Sequence, residues 1–364
     1  LGVVTIVPGS GPRAKAGRPS PRVIPGTHQI QTLAAEIGAD HIRTLAVGLG
    51  GRIVSRAARS TPRSHTPTAV ADALVEMCES VTADVNDDVA VLGLGIGVAG
   101  VVALDGHIEM ASSLGWADLD FAELVQRRLP RDLSVEVGND ADLGALAEHI
   151  RGVGVGVDHL VYVGVDDPGV GGGIIVDRRV FRGAGGYAGE FGHMTINPGG
   201  LRCRCGNVGC WETEIGTARI AEALGLEASD TDTVAAELAQ LSLCPDGLRT
   251  AGRFLGLGLA SIVNSLNTEI VVLGGTLRDL YPVVRSEADA AFKQSVLPAP
   301  GGDARLALSQ LGADAASVGA AEMVFEALFR DPVAVTSAAH RGPLRRATST
   351  GHARDPASPS SVSC

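Results

Sequence analysis

Residues 160 to 182 read LVYVGVDDPGVGGGIIVDRRVFR, a pattern of strand, glycine-containing turn, strand, second turn and strand. Residues 33 to 56, LAAEIGADHIRTLAVGLGGRIVSR, have the same arrangement. Aliphatic runs of this length are typical of buried strands, and the glycines between them permit tight turns. The duplication predicts two related α/β domains, each beginning with three strands.

Apolar segments with a helical period alternate with these strands, as an α/β architecture requires. Two further strands, 89 to 98 and 269 to 275, carry glycines near their carboxyl ends. Ligands of open α/β sheets bind beyond the carboxyl ends of the strands, so we expect a site there. Helices are predicted at about 66 to 81, 140 to 151, 212 to 224, 246 to 266 and 314 to 329.

The composition indicates a globular protein with 364 residues, 45% of them apolar, and a net charge of −11. This length accommodates two domains with a cleft, and the acidic charge disfavours nucleic-acid binding by the body of the chain. No apolar run of about 18 residues could span a bilayer, and the first residues lack the pattern of a secretory signal. We therefore expect a cytoplasmic protein with reduced thiols and no membrane partner.

Three of the six cysteines lie close together in GEFGHMTINPGGLRCRCGNVGCWE, residues 189 to 212. Thiolates and imidazole are preferred ligands of zinc, and four protein ligands would close a tetrahedral shell and make the metal structural. Buried or redox-active cysteines are the alternative. The spacing favours a structural zinc ion held by His193, Cys203, Cys205 and Cys210.

The string EFGH at 190 to 193, followed by CRCGNVGCWE at 203 to 212, resembles the signature of the ROK family. That family groups sugar-sensing repressors with bacterial-type sugar kinases, and the resemblance extends from about residue 33 to 330. It implies an α/β fold of two actin-like, hexokinase-type (ribonuclease H-like) domains that flank a cleft. The smaller domain would comprise residues 32–138 plus 314–332, and the larger one, residues 139–313 with the zinc knuckle.

The resemblance also implies a sugar pocket, in which carboxylates and amides meet hydroxyls that both donate and accept hydrogen bonds. In the family, the pair matching Asn139 and Asp140 binds the sugar, and in the kinases the aspartate is the catalytic base. Without the resemblance, Asp140 would be an ordinary helix N-cap, and the other residues could be surface carboxylates or a core histidine. Where the family commonly has Asn, this chain has Ser113, which leaves the identity of the sugar open. The implied sugar contacts are Asn139, Asp140, Glu190, His193, Glu212 and Ser113.

Kinases of this family hold ATP phosphates with two glycine turns, and both turns depart from the expected pattern. The first reads EIGAD at 36 to 40, with Asp40 where the kinases place Thr. The second, at 164 to 173, contains DDP before its GVGGG, a glycine cluster that a plain β-hairpin would also explain. Like charge near a phosphate costs about 1 kcal/mol or more per contact, so we expect ATP binding to be lost or weak. The residues of these degraded turns are Glu36, Gly38, Asp40, Gly171, Gly172, Gly274 and Gly275.

The two ends of the chain differ from its body. Residues 1–31 are basic and contain no acidic residue, and they resemble a wing remnant plus the basic linker, 11 to 23, of a missing winged helix-turn-helix domain. A solvated linker without function is the alternative. Residues 335–364 are rich in Ser, Ala, Pro and Arg and are predicted to be a disordered tail.

A retained sugar pocket with damaged phosphate turns favours a sugar-sensing transcriptional repressor. Its effector would be a hexose, an N-acetylhexosamine or their phosphates, and it would reach DNA through the missing amino-terminal domain. The family implies a homodimer or homotetramer. One alternative is an ATP-dependent sugar kinase of the glucokinase or N-acetylmannosamine kinase type, with Asp140 as the base; another is a sugar-binding protein with neither activity.

Overall fold

The computed structural model describes residues 4–7, 21–26, 29–166, 169–227 and 231–344. Two main sheets, each covered by helices, lie on either side of a cleft. Within these ranges no helix is both long and apolar enough to cross a membrane. The strands are β1 (Val4–Val7), β2 (Arg22–Pro25), β3 (Ile30–Ile37), β4 (His41–Gly48), β5 (Arg52–Ser60), β6 (Ala90–Val98), β7 (Val101–Val102), β8 (Ile108–Ala111), β9 (Trp116–Leu119), β10 (Ser134–Asn139), β11 (Leu160–Asp166), β12 (Gly169–Val176), β13 (Arg179–Val180), β14 (Ile270–Gly275), β15 (Arg305–Leu308) and β16 (His340–Arg341). The helices are α1 (Pro67–Val81), α2 (Phe121–Gln126), α3 (Asp140–Arg151), α4 (Glu212–Ile215), α5 (Thr217–Leu224), α6 (Thr231–Gln240), α7 (Asp246–Leu266), α8 (Thr276–Ser295), α9 (Pro298–Asp303), α10 (Ala315–Arg330) and α11 (Pro332–Ala338).

The first sheet has the strand order β10-β6-β3-β4-β5, with β16 paired to β6. Strands β3, β4 and β5 are antiparallel, whereas β6 runs parallel to β3 and β10 runs parallel to β6. Strands β3 and β6 are buried along their whole length because α1 and α2 cover one face of the sheet and α10 covers the other. The carboxyl ends of β3, β6 and β10 meet at the edge that borders the cleft.

The second sheet repeats this plan with the order β13-β12-β11-β14-β15. Strands β11, β12 and β13 are antiparallel, and β14 and β15 run parallel to β11. Helices α7 and α8 pack on one face, and α3 packs on the other. The predicted duplication is confirmed, since both sheets begin with three antiparallel strands and continue with parallel ones.

Helices α3 and α10 pack against each other between the two sheets. Gly319 of α10 lies so close to the backbone of Leu143 in α3 that a Cβ atom there would overlap it. The buried carboxylate of Glu322 in α10 accepts a hydrogen bond from Arg151 Nε of α3 at 2.7 Å. This helix pair joins the two halves and fixes the position of the start of α3 over the cleft.

The predicted helices at 66–81, 140–151, 246–266 and 314–329 are confirmed to within one residue at each end, as α1, α3, α7 and α10. The predicted helix at 212–224 is instead two helices. Gly216 separates them, because its extended conformation (ψ 162°) interrupts the helical path between α4 and α5.

The prediction of a disordered tail from residue 335 is wrong for its first ten residues. Helix α11 continues to Ala338, and β16 pairs antiparallel with β6. Leu344, only 4% exposed, packs into the core beside α1. Asp331 is the N-cap of α11, and its side chain accepts a hydrogen bond from the Ala334 N–H. Because the helix is short, hydrophobic periodicity does not reveal it, and this cap marks its start. Residues 345–364 lie outside the described residues.

At the amino terminus, β1 and β2 form an antiparallel pair, and residues 8–20 between them lie outside the described residues. The predicted linker at 11–23 is wrong at its end, because Arg22 and Val23 belong to β2. The assignment of this pair to a wing, and the boundaries of the two domains, stay predictions.

Candidate functional site

A cavity of about 400 Å³ lies between the two sheets, which is within the usual range for small-molecule sites. Its walls come from the carboxyl ends of β3 and β10, from β11 and β12, and from the segment around the cysteine cluster. Among the described residues that line it, those predicted from the sequence are Glu36, Ser113, Asn139, Asp140, Gly171, Gly172, Glu190, His193, Cys205 and Glu212. Gly38, Asp40, Gly274 and Gly275 are not among its lining residues.

The four predicted metal ligands converge on one point, with their ligand atoms all within 4.8 Å of one another. The Sγ atoms of Cys205 and Cys210 are 3.6 Å apart, and Cys203 Sγ lies 3.7 Å from Nδ1 of His193. Four ligands about 2.3 Å from a tetrahedral zinc ion lie about 3.7 Å from one another. The cluster can therefore hold a metal, and its donor set fits a structural zinc with no ligand position left open.

Glycines allow the knuckle, residues 193 to 210, to turn tightly enough for this convergence. Gly206 (φ 94°) and Gly209 (φ 76°) both have left-handed backbone conformations that favour glycine. At Gly209 a Cβ atom would also overlap the carbonyl of Asn197. Antiparallel bridges between Thr195 and Cys210 and between residues 202 and 208 close the loop.

Trp211 anchors the knuckle to the core of the second sheet. The side chain is fully buried, and its indole Nε1–H donates to the carbonyl of Phe254 in α7 at 2.9 Å. Gly258, one turn further along α7, lies against the ring, where a Cβ atom would overlap it. Because Cys210 and Glu212 flank Trp211, the core packing also fixes one metal ligand and one residue of the cavity wall.

His193 faces the knuckle with one ring nitrogen and the cavity with the other. Its Nδ1 points to Cys203, whereas its Nε2 lies 3.9 Å from Oε2 of Glu190. Burial raises the pKa of Glu190, and the charge of Glu212 raises it further, against the opposing effect of His193. A metal on Nδ1 would thus leave Nε2 and two carboxylates facing a ligand.

Asn139 joins the start of α3 to the first sheet. Its Oδ1 accepts the Asp142 N–H at 2.9 Å, and its Nδ2 donates to the carbonyl of Gly100 at 2.9 Å. Asn139 is therefore the N-cap of α3, and the interpretation of Asp140 as an ordinary N-cap is wrong. Asp140 is the first residue of the helix, half-buried at the cavity.

Ser113 lies on the wall formed by the loop between β8 and β9. Its Oγ is buried and has no hydrogen-bond partner among the described residues. Burial removes this hydroxyl from water, and no described residue replaces the lost hydrogen bond. The hydroxyl is therefore suited to a ligand that supplies a hydrogen-bond partner.

Three charged residues of the cavity were missed by sequence reasoning: Asp142, Arg43 and Arg204. Asp142 lies two residues beyond Asp140 on the first turn of α3. Its closeness to this predicted sugar contact was the sequence signal that could have identified it as a cavity residue. Arg43 is the cross-strand partner of Glu36, and their side chains pair at 3.4 Å. No sequence signal distinguished Arg204 from other surface arginines.

The glycines of the second predicted phosphate turn have a packing role. Gly171 and Gly172 lie in strand β12 and not in a turn, so that part of the prediction is wrong. A Cβ on Gly172 would overlap the carbonyl of Gly189 and the ring of Phe191. The close approach of these segments requires the glycines whether or not a phosphate binds, and residues 167 and 168 lie outside the described residues.

Comparison with known proteins places the chain in a family. The ROK family profile matches residues 32–327. The xylose repressor of Bacillus subtilis (strain 168) is 28% identical over 301 residues, which cover 81% of this chain and 77% of the repressor. The glucokinase of Streptomyces coelicolor (strain A3(2)) is 30% identical over 323 residues, covering 81% of this chain and 98% of the kinase.

Solved structures have the same architecture. A ROK family glucokinase from Streptomyces griseus, in complex with glucose and AMPPNP, superposes with a TM-score of 0.69 at 27% identity, covering 80% of this chain and 98% of the kinase. A ROK family transcriptional regulator, a homologue of the E. coli MLC protein, superposes with a TM-score of 0.72 over 88% of this chain and 84% of the regulator. At 23% identity the latter shows the fold alone. The two-sheet architecture is therefore the actin-like, hexokinase-type fold, and the chain belongs to the ROK family.

Proposed function

We propose that this protein is a sugar-sensing transcriptional regulator of the ROK family, whose cleft binds a monosaccharide and which does not phosphorylate it. The sugar would meet Asn139 and Asp140 on one side and Glu190, His193 and Glu212 on the other. These groups provide both donors and acceptors, which sugar hydroxyls require. The relative named xylose repressor adds a pentose to the sugars expected from the sequence, and the relative named glucokinase agrees with the expected hexoses.

The carboxylate of Glu36 carries the argument against phosphorylation. It is 8% exposed and already paired with Arg43, whose other terminal nitrogen lies 3.9 Å from Asp232 of α6. In the adjacent turn, the Gly38 N–H donates to the carbonyl of His41 at 2.9 Å and is not free to bind a phosphate. This end of the cavity thus offers paired charges where a nucleotide would need free donors and a metal-binding carboxylate.

In a repressor, the bound sugar would act as the signal that changes DNA binding. Closing the cleft on a sugar would change how the halves meet at α3 and α10 and, in an oligomer, the spacing of the DNA-binding parts. Zinc would serve as a structural brace, with His193 shared between the metal and the sugar pocket. A homodimer or homotetramer is part of this proposal.

A sugar kinase is the second candidate, because Asn139 and Asp140 are retained and kinase relatives align over nearly their full length. These relatives give no support to the expectation that ATP is not bound. In that case Asp140 would remove the proton from the attacking hydroxyl.

A paired experiment decides between the two. Thermal shift should detect D-xylose, D-glucose, N-acetylglucosamine, N-acetylmannosamine or a 6-phosphate of one of these three hexoses, with no further shift from Mg-ATP. A coupled assay for ADP should stay at background with every sugar. Operator binding by the complete natural polypeptide, altered by the sugar that stabilises it, would support the regulator. Sugar-dependent release of ADP that Asp140→Asn abolishes would establish the kinase instead.

A further inference from the structure

Asp142 is a buried charged residue in the cavity wall that the sugar contacts named above do not include. It is 3% exposed and lies on the first turn of α3. Its backbone N–H is bound by Asn139 Oδ1, so the cap of the helix fixes its position. The side chain therefore sits beside the proposed sugar contacts with little freedom to move.

The two oxygens of the Asp142 carboxyl have different surroundings. Oδ2 lies 3.4 Å from Nε of Arg182, which reaches it from the segment after β13. Oδ1 is buried without a hydrogen-bond partner among the described residues. Leaving a carboxylate oxygen without water or a donor is costly, which is why such atoms in native proteins call for an explanation. A donor from outside the chain would satisfy it.

We propose that Asp142 is a further ligand-contacting residue, whose Oδ1 accepts a hydrogen bond from a hydroxyl of the bound sugar while Arg182 holds the carboxyl in position. This inference rests on the proposed sugar-binding function and adds a specificity contact to it. Because an ionised carboxylate only accepts hydrogen bonds, the site selects a sugar with a free hydroxyl at this point. It disfavours one that is methylated or deoxygenated there.

The charges around Asp142 make this contact dependent on pH. Burial raises the pKa of Asp142 to about 7; Arg182 opposes the rise and Glu190 adds to it. Arg182 also faces Glu136 of β10, and Asp140 lies on the same turn of α3. Without sugar, the carboxyl is thus partly protonated at neutral pH. A sugar hydroxyl that donates to Oδ1 stabilises the anion and lowers the pKa, so binding releases a proton and strengthens as the pH rises through 7.

Isothermal titration calorimetry tests this inference, with D-xylose and D-glucose as the probes between pH 6 and 8.5. For a contact that requires the anion, the affinity rises about tenfold from pH 6 to 8, and about half a proton is released per sugar at pH 7. Titrations at pH 7 in two buffers of different ionisation enthalpy measure that release. The variant Asp142→Asn should bind at least tenfold more weakly at pH 8 and lose the pH dependence.

Further variants separate Asp142 from its neighbours. Arg182→Gln removes the cation that lowers the pKa of Asp142, so the midpoint of the affinity curve should move to higher pH. Glu190→Gln should weaken binding but keep a rise with pH. Exposed Asp177→Asn is the matched control and should behave like the wild type. The wild-type proton release and the Arg182→Gln shift do not depend on whether Asp142→Asn folds.

Two negative results have different meanings. Saturable binding of either sugar with the same affinity at pH 6 and 8, and without proton release, would overturn the role of Asp142 and leave the sugar-binding function standing. Failure of both sugars, and also of N-acetylglucosamine, N-acetylmannosamine and the hexose 6-phosphates, to bind at every pH would count against the sugar-binding function itself.

Discussion

Gly258 links the core of the second half to the cavity, and replacing it with alanine tests that link. The new Cβ would overlap the indole of Trp211, a fully buried ring that its hydrogen bond to Phe254 holds in place. Overpacking of this kind costs about 1 to 3 kcal/mol, and the rigid neighbour places this site at the upper end. Alanine regains about 1 kcal/mol of helix propensity, which leaves a net destabilisation of about 2 kcal/mol.

Thermal denaturation should show this loss as a midpoint about 4 to 8 °C below the wild type. Because Trp211 stands between Cys210 and Glu212, relief of the overlap moves a metal ligand and a wall of the cavity. We therefore expect sugar affinity to fall about tenfold, the effect of losing about 1.4 kcal/mol of binding free energy.

Gly256→Ala is the matched control on the same helix. Its Cβ would overlap the backbone oxygen of Ala288 in α8, so it should destabilise the protein comparably without moving the knuckle. Gly302→Ala, where a Cβ would meet none of the described atoms within 4 Å, should leave both measurements unchanged. Equal sugar affinity in the Gly258→Ala and Gly256→Ala proteins, at equal residual stability, would refute the link.

Three further predictions concern the metal, the helix pair and the buried acid. Removing zinc with a chelator, or replacing Cys210 with Ser, should lower both the melting temperature and the sugar affinity; unchanged affinity in folded, metal-free protein would separate the two sites. Arg151→Ala leaves the buried carboxylate of Glu322 without its partner and should cost about 1 to 3 kcal/mol in urea denaturation, whereas a change under 0.5 kcal/mol would show that the pair does not hold α3 to α10. Burial raises the pKa of Asp142 from 3.8 to about 7, so the folded protein retains a proton that the unfolded chain releases. The free energy of unfolding of the sugar-free protein should therefore fall from about pH 4 to 7, by an amount on the order of a few kcal/mol, and level off above that. Urea denaturation of Asp142→Asn and the wild type should show the variant gaining stability relative to the wild type from about pH 4 to 7. A difference in unfolding free energy that stays constant over this pH range would contradict the raised pKa of Asp142.

Local patterns in the sequence were enough to predict the repeated strands, the metal cluster and helices α1, α3, α7 and α10, and they placed α4 and α5 together as one helix. They did not predict α2, α6, α8, α9 or α11. A strand or an amphipathic helix is encoded within about a dozen residues, and cysteine spacing constrains the ligand geometry directly. The ends of α1, α3, α7 and α10 followed from that periodicity. The candidate sugar residues required the family resemblance, because a single Glu or Asn has no distinctive spacing.

The remaining features depend on contacts between distant segments. The glycines of β12 looked like a phosphate turn, but their cause is the approach of residues 189 to 191 and of α3. The ordering of β16 depends on an edge of β6, which no pattern near residue 340 reveals. Asp142 became distinctive only when its burial and its two unlike oxygens were visible.

The consecutive placement of Cys210, Trp211 and Glu212 bears on how such a protein can acquire a new effector. A substitution in this triplet would change metal affinity, folding and sugar recognition together, so few mutations there would leave a functional protein. Ser113 belongs to a separate loop, and its Oγ has no hydrogen bond to lose within the part of the chain that the structure describes. Directed evolution toward another sugar should therefore accumulate changes around Ser113 first and leave the triplet intact.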